Sequence, residues 1–396
     1  MTIKSIATQQ LGIDTDVERV IASYSESDRE EFTSEFLEVL RSSDSVKILD
    51  ENRISGPGTL RDVLRVCLKI GKIDASLAWV VGVSNSAWSM RSNFQLFDSQ
   101  LLVMEDNKIL SMVLGRPGLL RKNKLSNNYF LSGEWRYASG YPYCSFFFCL
   151  ACVEDADAQD VRVIAVPSEQ LEIIAKWEAT GLRGTQSVTV IAQNVEVPES
   201  NIANYSHILS GENRPLGKVR GNEKVALYSG LFTGVLMNCL LGSILGATEA
   251  ALEYVASIVD KRSVVGSTYT FMGDSGAIRT EIGRLRSTLD LYKRAAEYNA
   301  EVIDNAACNS HVILTTQERV ENRGRAALVM RGCVNIVQDL LWIHGSSGLE
   351  KGTHLERIWR DVNVGALHAG FSKFVPEEAV GLAFIGRNPK DLTHMF

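Results

Sequence analysis

Between Val225 and Thr248 the chain runs for 24 residues without a charged side chain (VALYSGLFTGVLMNCLLGSILGAT). A stretch of that length and polarity has to leave water, either across a bilayer or at the centre of packed helices. Small residues recur four apart, Gly230 with Gly234 and Gly242 with Gly246, a spacing that lets helix backbones approach closely. The stretch stands alone, includes Ser, Thr and Asn, and runs directly into the ordinary amphipathic pattern TEAALEYVASIVDKR. The expectation is a helix buried in a bundle or a subunit interface, with no membrane span.

The remaining bulk properties fit that choice. Hydrophobic residues make up 45% and charged residues 22% of 396, ordinary for a soluble globular protein. A formal charge of -6 gives no footprint for nucleic acid. The first twenty residues have no apolar core of signal-peptide length. Seven cysteines form an odd set among apolar neighbours, which points to reduced thiols in a cytoplasmic protein. Cys144, Cys149 and Cys152 lie in YCSFFFCLACV, a strand-like run with no His or fourth Cys at ligand spacing, so no metal is expected.

Three regions follow from the periodicities. Residues 1–105 read as an N-terminal helical domain, with apolar residues at helical spacing in VERVIASY, REEFTSEFLEVLRSS and TLRDVLRVCLKIGKIDASLAWVVGVSNSAW. A Gly-Pro-Gly break at Gly56 to Gly58 precedes Thr59, which is placed to cap a helix over 60–71. Residues 106–214 read as a small central β domain, with strands in YFLSGEWRYASG, SFFFCLACV, VRVIAVP and SVTVIAQNVEVP. Residues 215–396 read as a bundle of long helices, drawn near 220–262, 274–308, 314–344 and 354–370. This is an α+β architecture with the strands segregated in the middle.

Three segments carry a resemblance that spans nearly the whole chain. GSSGLEKGTHLERIWRDVNVGALHAG (345–370) resembles the Gly-rich turn and following Arg-Asp helix of acyl-CoA dehydrogenases. LSGEWRYASG (131–140) resembles the strand pair that covers the flavin ring in that family, and WEATGLRGTQSVTVIAQNVEVP (177–198) resembles its Gly-Leu-Arg-Gly-Thr segment. The resemblance implies that family's fold: a helical domain, a small barrel-like β domain and a four-helix bundle.

It also exposes a difference. In most acyl-CoA dehydrogenases a Glu-Gly pair follows the Arg-Asp by eight and nine residues, and the Glu removes the substrate's α-proton. Counting from Asp361, this chain has Ala369 and Gly370 there, and the alternative helix position, 225–248, holds no Asp or Glu. An unactivated C–H needs a positioned base, and alanine supplies none. His368 stands beside the lost Glu instead. That arrangement is similar to two-component flavin-dependent monooxygenases on this fold, such as hydroxyphenylacetate monooxygenase, thiophene-sulfur oxygenases and aminosugar N-oxygenases. The resemblance implies reduced FMN or FAD delivered by a separate NAD(P)H–flavin reductase, O2 as co-substrate, oxygen addition at flavin C4a, and transfer of one oxygen to a small aromatic or natural-product substrate. Two rivals remain open: a dehydrogenase or oxidase with a relocated base, and a non-catalytic member of the fold.

Site residues follow from the same comparison. His368 is the expected catalytic base or hydrogen-bond donor, since imidazole titrates near neutrality (about 6.5). Ser139 matches the position of a hydroxyl near flavin N5. Trp135 and Tyr137 alternate along one strand and are expected to share a face toward the ring. Arg262 matches an arginine that reaches flavin phosphate, although the family's neighbouring Phe-Gly is absent from KRSVVGST. His344, Gly345, Ser346 and Ser347 are expected to approach a flavin held by an adjoining subunit, and Trp342 replaces a Gln common in dehydrogenases. Trp79, Asn85 and Trp88 are the expected substrate contacts. Arg183 is assigned to turn structure, and Glu356, Arg357, Arg360 and Asp361 to ion pairs. His207, His311, His354 and His394 are assigned to the surface. The long apolar helix predicts a homotetramer in which neighbours complete each site.

Overall fold

The structure is a computed structural model that describes residues 3–50, 58–94, 109–154, 160–210, 228, 230–308 and 313–396. Four helices come first: α1 (Ile3–Ser23), α2 (Ser34–Ser42), α3 (Leu60–Gly71) and α4 (Ala75–Met90). Thr59 caps α3 in a reciprocal box with Asp62, as its position after the Gly-Pro-Gly break predicts. Gly56 and Pro57 themselves lie outside the described residues. Asp74 ends the α3 run and caps α4 through the amides of Ser76 and Leu77, so one continuous apolar pattern becomes two helices.

Seven strands follow: β1 (Leu110–Lys122), β2 (Tyr129–Ala138), β3 (Phe146–Val153), β4 (Val161–Pro167), β5 (Glu172–Ala175), β6 (Val188–Val197) and β7 (Ile202–Asn204). They make one open sheet in the order β5-β6-β2-β1-β3-β4-β7, antiparallel except for the β1–β3 pair. Among the described residues the sheet is open, with β5 and β7 at its edges. β1 is not visible in the sequence pattern because Gly115, Arg116, Pro117 and Gly118 read as a turn. The strand absorbs them in a register shift between Val113 and Gly118.

Helices then return: α5 (Tyr205–Ser210), α6 (Phe232–Ile258), α7 (Gly276–Cys308), α8 (Thr316–His344), α9 (His354–Ala366) and α10 (Val375–Phe384). The expected start of the first long helix at 220, and the two domain borders near 105 and 214, fall outside the described residues. α6 and α8 are both long and apolar enough to cross a membrane, and the apolar window of α6 is wholly buried in the fold. Its neighbours are α3, α4, α7, α8 and α9. The small-residue pair reports that packing: a Cβ on Gly242 would stand 2.6 Å from Cys67 Cβ and 2.7 Å from the Leu64 carbonyl. Gly246 meets Leu68 and Gly71 in the same way. These glycines let α6 lie against α3 within one chain.

Candidate active site

β2 ends in an unusual backbone. Tyr137 has φ 68° and Gly140 φ 75°, and pairing with β6 slips between Trp135 and Ala138. The slip separates two side chains that alternation would place together. Trp135 is 1% exposed; its indole Nε1 donates to the Leu150 carbonyl at 3.0 Å and it packs edge-on to Phe147. It belongs to the core, which corrects the expectation that it faces a flavin. Tyr137 is 62% exposed, with its ring edge-on to Trp177 at 6.1 Å.

Ser139, just past the strand, sits in a chain of hydroxyls. Its Oγ lies 2.8 Å from Ser187 Oγ, which lies 2.7 Å from Thr185 Oγ1, which donates to the Leu182 carbonyl at 2.7 Å. The turn that carries them is strained at both ends, with Leu182 at φ 51° and Gln186 at φ 44°. Three contacts hold it. Leu182 N–H donates to Asp361 Oδ1 at 2.6 Å, Trp177 Nε1 donates to the Leu182 carbonyl at 3.0 Å, and Gly140 N–H donates to the Thr185 carbonyl at 2.7 Å.

Asp361 is buried and makes no ion pair among the described residues, contrary to its assignment to one. Burial and the nearby Asp74 carboxylate push its pKa up to about 7, against the pull of Leu182 N–H, Arg357 and Arg360. The other expected pairs form: Arg360 with Glu356 one turn away at 2.6 Å, and Arg357 with Asp74 at 3.2 Å across to α4. Arg183 pairs with Glu30 near the surface.

His368 follows α9. Its Nδ1 accepts from Gly370 N–H at 3.1 Å, and its ring meets Trp79 edge-on at 5.7 Å and Phe371 at 5.8 Å. Burial, helped by the Arg323 guanidinium, holds its pKa down to about 4. Trp79 and Val80 are adjacent on α4. Trp79 touches His368, while Val80 lies 3.2 Å from the Cβ position of Gly140. α4 therefore touches both His368 and the end of β2 through neighbouring residues. The other two expected substrate residues go elsewhere. Asn85 is fully buried and bonds the backbone of Ser45, Leu49 and Val81, holding a turn against α4. Trp88 is buried under the Arg91 guanidinium at 5.1 Å, itself paired with Asp50.

A second cluster lies at the α6 and α8 ends. Arg262 Nη1 lies 2.9 Å from His344 Nε2, and Arg262 Nη2 donates to Ser347 Oγ at 2.9 Å. Arginine only donates, so His344 is neutral here, in accord with a pKa lowered by burial and by Arg262. Tyr254 stacks on the His344 ring and also meets His354, which is half-buried rather than on the surface. Arg262, His344 and Ser347, with Ser346, Trp342 and the left-handed Gly345 (φ 88°), line a cavity of about 590 Å³. The partners of Arg262 are neutral among the described residues, and the two carboxylates on the cavity wall, Glu281 and Asp339, share Arg284. Trp342 is 82% exposed. No hydrogen bond or ring contact among the described residues joins this cluster directly to Ser139 or His368. His207 and His394 belong to neither cluster, and His311 lies outside the described residues.

Sequence reading therefore missed Thr185, Ser187 and Asp361. The Gly-Leu-Arg-Gly-Thr motif holds Thr185 itself and ends two residues before Ser187, but nothing in its spacing shows that both hydroxyls turn toward Ser139.

Comparison with known proteins agrees with this architecture. Residues 239–373 match the family described as acyl-CoA dehydrogenase, C-terminal domain. The oxygenase component of an FADH(2)-dependent resorcinol hydroxylase from Rhizobium sp. is 23% identical over 342 residues, covering 84% of this chain and 82% of its own. The oxygenase subunit HsaA of a flavin-dependent monooxygenase from Rhodococcus jostii is 24% identical over 314 residues, covering 76% and 78%. Among solved structures, XiaF from Streptomyces sp. in complex with FADH2 and glycerol superposes with a TM-score of 0.84 at 22% identity, covering 97% of this chain and 96% of its own. TdsC from Paenibacillus sp., in a complex with FMN and indole, gives 0.79 at 16% identity, covering 99% and 100%. The chain therefore has the acyl-CoA dehydrogenase fold, with a bundle that matches that family's C-terminal domain.

Proposed function

We propose that this chain is the oxygenase of a two-component flavin-dependent monooxygenase, using reduced flavin from a separate reductase and O2 to oxygenate a small aromatic or natural-product substrate. The observation that carries it is the placement of carboxylates. Ala369 occupies the position where the resembling dehydrogenases hold their base. Asp361 and Glu377 each lie eight residues from Ala369; Asp361 accepts from Leu182 N–H, and Glu377 is paired with Arg331. Glu249, one residue beyond the charge-free stretch, is bound by Lys293 at 3.0 Å and by Arg286 at 3.3 Å. Burial would raise its pKa, but those cations outweigh burial and lower it, which makes a poor base. The relatives named as FADH2-dependent or as flavin monooxygenases support the same reading.

The residues present fit a flavin. Exposed Tyr137, set edge-on to Trp177 and two residues before Ser139, offers one aromatic face to a planar ring. Arg262, lacking an acidic partner in the second cavity, offers a fork for phosphate, with Ser347 and the Gly345 turn beside it. When bound, reduced flavin supplies the electrons and the site of oxygen activation. Because the two clusters do not touch within one chain, the reading includes a homo-oligomer, as a tetramer, in which one subunit's Arg262 cluster serves its neighbour's Ser139 site. Large apolar side chains left exposed on the bundle (Trp342, Leu367 and Phe384) support such an assembly. Seven free thiols, most of them buried, support a cytoplasmic location.

The geometry of His368 favours the donor over the base among its two expected roles. Gly370 N–H only donates, so Nδ1 is the acceptor and the neutral ring carries its proton on Nε2. With a pKa near 4, the ring stays neutral at working pH and donates a hydrogen bond to substrate; it does not take a proton. Replacing His368 with Ala is expected to lower kcat by about 100-fold. His368→Gln, which restores a donor near Nε2, should recover most of it, and the wild-type kcat profile should be flat from pH 6 to 8. A limb near pH 6.5 that disappears in His368→Gln contradicts this role. The function itself is tested by supplying a flavin reductase, NADH and air with a panel of phenols, indoles and aromatic sulfides. Reductase-dependent product one oxygen heavier is expected. If the panel stays unchanged while acyl-CoA is oxidised, the dehydrogenase alternative takes its place.

A further inference from the structure

The hydroxyl chain behind Ser139 has a direction, and it can be assigned without seeing a hydrogen. Oxygen pairs at 2.7–2.8 Å repel unless a proton lies between them. Three such contacts join Leu182 O, Thr185 Oγ1, Ser187 Oγ and Ser139 Oγ in series, and three hydroxyl protons are available. The Leu182 carbonyl brings none, so Thr185 donates to it. Ser187 then donates to Thr185, and Ser139 donates to Ser187. Thr185 is fully buried and Ser187 nearly so, so water does not compete for either link. The start of the series is itself fixed, because Asp361 and Trp177 hold Leu182 from both sides of its peptide. Ser139 is only half-buried, and its backbone carbonyl accepts from Ser111 Oγ at 2.7 Å, which pins its position.

We infer that this relay makes Ser139 an obligate acceptor toward whatever lies against the end of β2, and thereby selects reduced over oxidised flavin. The inference rests on the flavin reading above. Dihydroflavin carries an N–H at N5, whereas oxidised flavin presents a bare lone pair there. A hydroxyl whose proton is committed inward satisfies the first and repels the second. Thr185 and Ser187 are positioning residues: they act through Ser139 and touch no ligand themselves. Such selection suits an enzyme that must take up reduced flavin and release the oxidised product.

The relay makes a prediction for a residue two hydroxyls away from the ligand. Without the Thr185 hydroxyl, Ser187 loses its inward acceptor and turns its proton to Ser139, whose own proton then points outward. Anaerobic fluorescence titrations of the full chain with oxidised and dithionite-reduced FMN, repeated with FAD, read this directly. The wild type should bind the reduced form at least about tenfold more tightly, the size expected for one mismatched hydrogen bond. Thr185→Val and Ser187→Ala should each bring the two affinities to within about threefold, while Thr185→Ser restores the preference. Circular dichroism and Tm confirm folding, and Thr185→Ser covers the case in which Thr185→Val does not fold. Equal wild-type affinities overturn the inference alone, as does a preference that survives Thr185→Val but not Ser139→Ala. Failure of the wild type to bind either flavin in either redox state overturns the flavin reading, and the inference with it.

Discussion

Asp361→Asn is expected to be more stable than the wild type at pH 8, with the difference shrinking as pH falls and closing only below about pH 4. In the folded chain, burial and Asp74 raise the Asp361 pKa from 3.8 to about 7. A raised acid pKa means that the folded state holds the proton more tightly. Its contribution to stability is therefore fully present below about pH 4 and lost as pH rises through 7. Three units correspond to about 4 kcal/mol, of which about 3 kcal/mol falls between pH 5 and 8. Asparagine keeps an oxygen for Leu182 N–H and removes the titration, so urea midpoints of the two proteins should diverge across that window. Asp361→Ala should behave differently. It removes the titration too but strands the Leu182 amide in a buried turn, so it should lie about 1–3 kcal/mol below Asp361→Asn at every pH. Parallel pH dependence in the wild type and Asp361→Asn contradicts the burial assigned to this carboxyl.

Gly242→Val carries the largest expected loss. Its Cβ would enter the space of Cys67 Cβ at 2.6 Å and the Leu64 carbonyl at 2.7 Å, with Leu68 N at 3.0 Å. Two of the three obstacles are backbone, so no side-chain rotation relieves them, and α6 must part from α3. We expect about 3 kcal/mol or more of lost stability and a Tm lower by roughly 4 °C or more. Gly283, on exposed α7 with open space around its Cβ position, serves as the control: Gly283→Ala should be neutral or slightly stabilising. A Gly242→Val protein with unchanged Tm would show that the two helices are not in close contact.

How much of this was legible in the sequence depends on the range of the interaction. Local signals survived intact. The Thr59 cap and the apolar run of α6 are each decided within a few residues, and the structure has both. The order of helices, strands and helices follows from the same local periodicities, and with it the fold. Side-chain direction at the site did not survive. Trp135 and Tyr137 share a face only if β2 keeps its alternation, and a register slip against β6, some fifty residues away, breaks it. Asn85 and Trp88 lie on a helix buried along its whole length, so sequence alone cannot tell its pocket face from its core face. Asp361 looked like part of a charged helix surface. Only the arrival of the Leu182 turn, 179 residues earlier in the chain, makes it a buried acceptor.

An oxygenase of this fold, unlike a dehydrogenase, has no acid able to take a proton from carbon above the bound ring. The direct measurement is anaerobic: the chain is loaded with oxidised FAD or FMN, short, medium and long acyl-CoA thioesters are added, and flavin absorbance is followed. With Ala369 at the dehydrogenase position, Asp361 held by Leu182 and Glu249 held by Lys293, the absorbance should stay constant with every thioester. Bleaching by any one of them would place a working base over the flavin and contradict the proposed oxygenase.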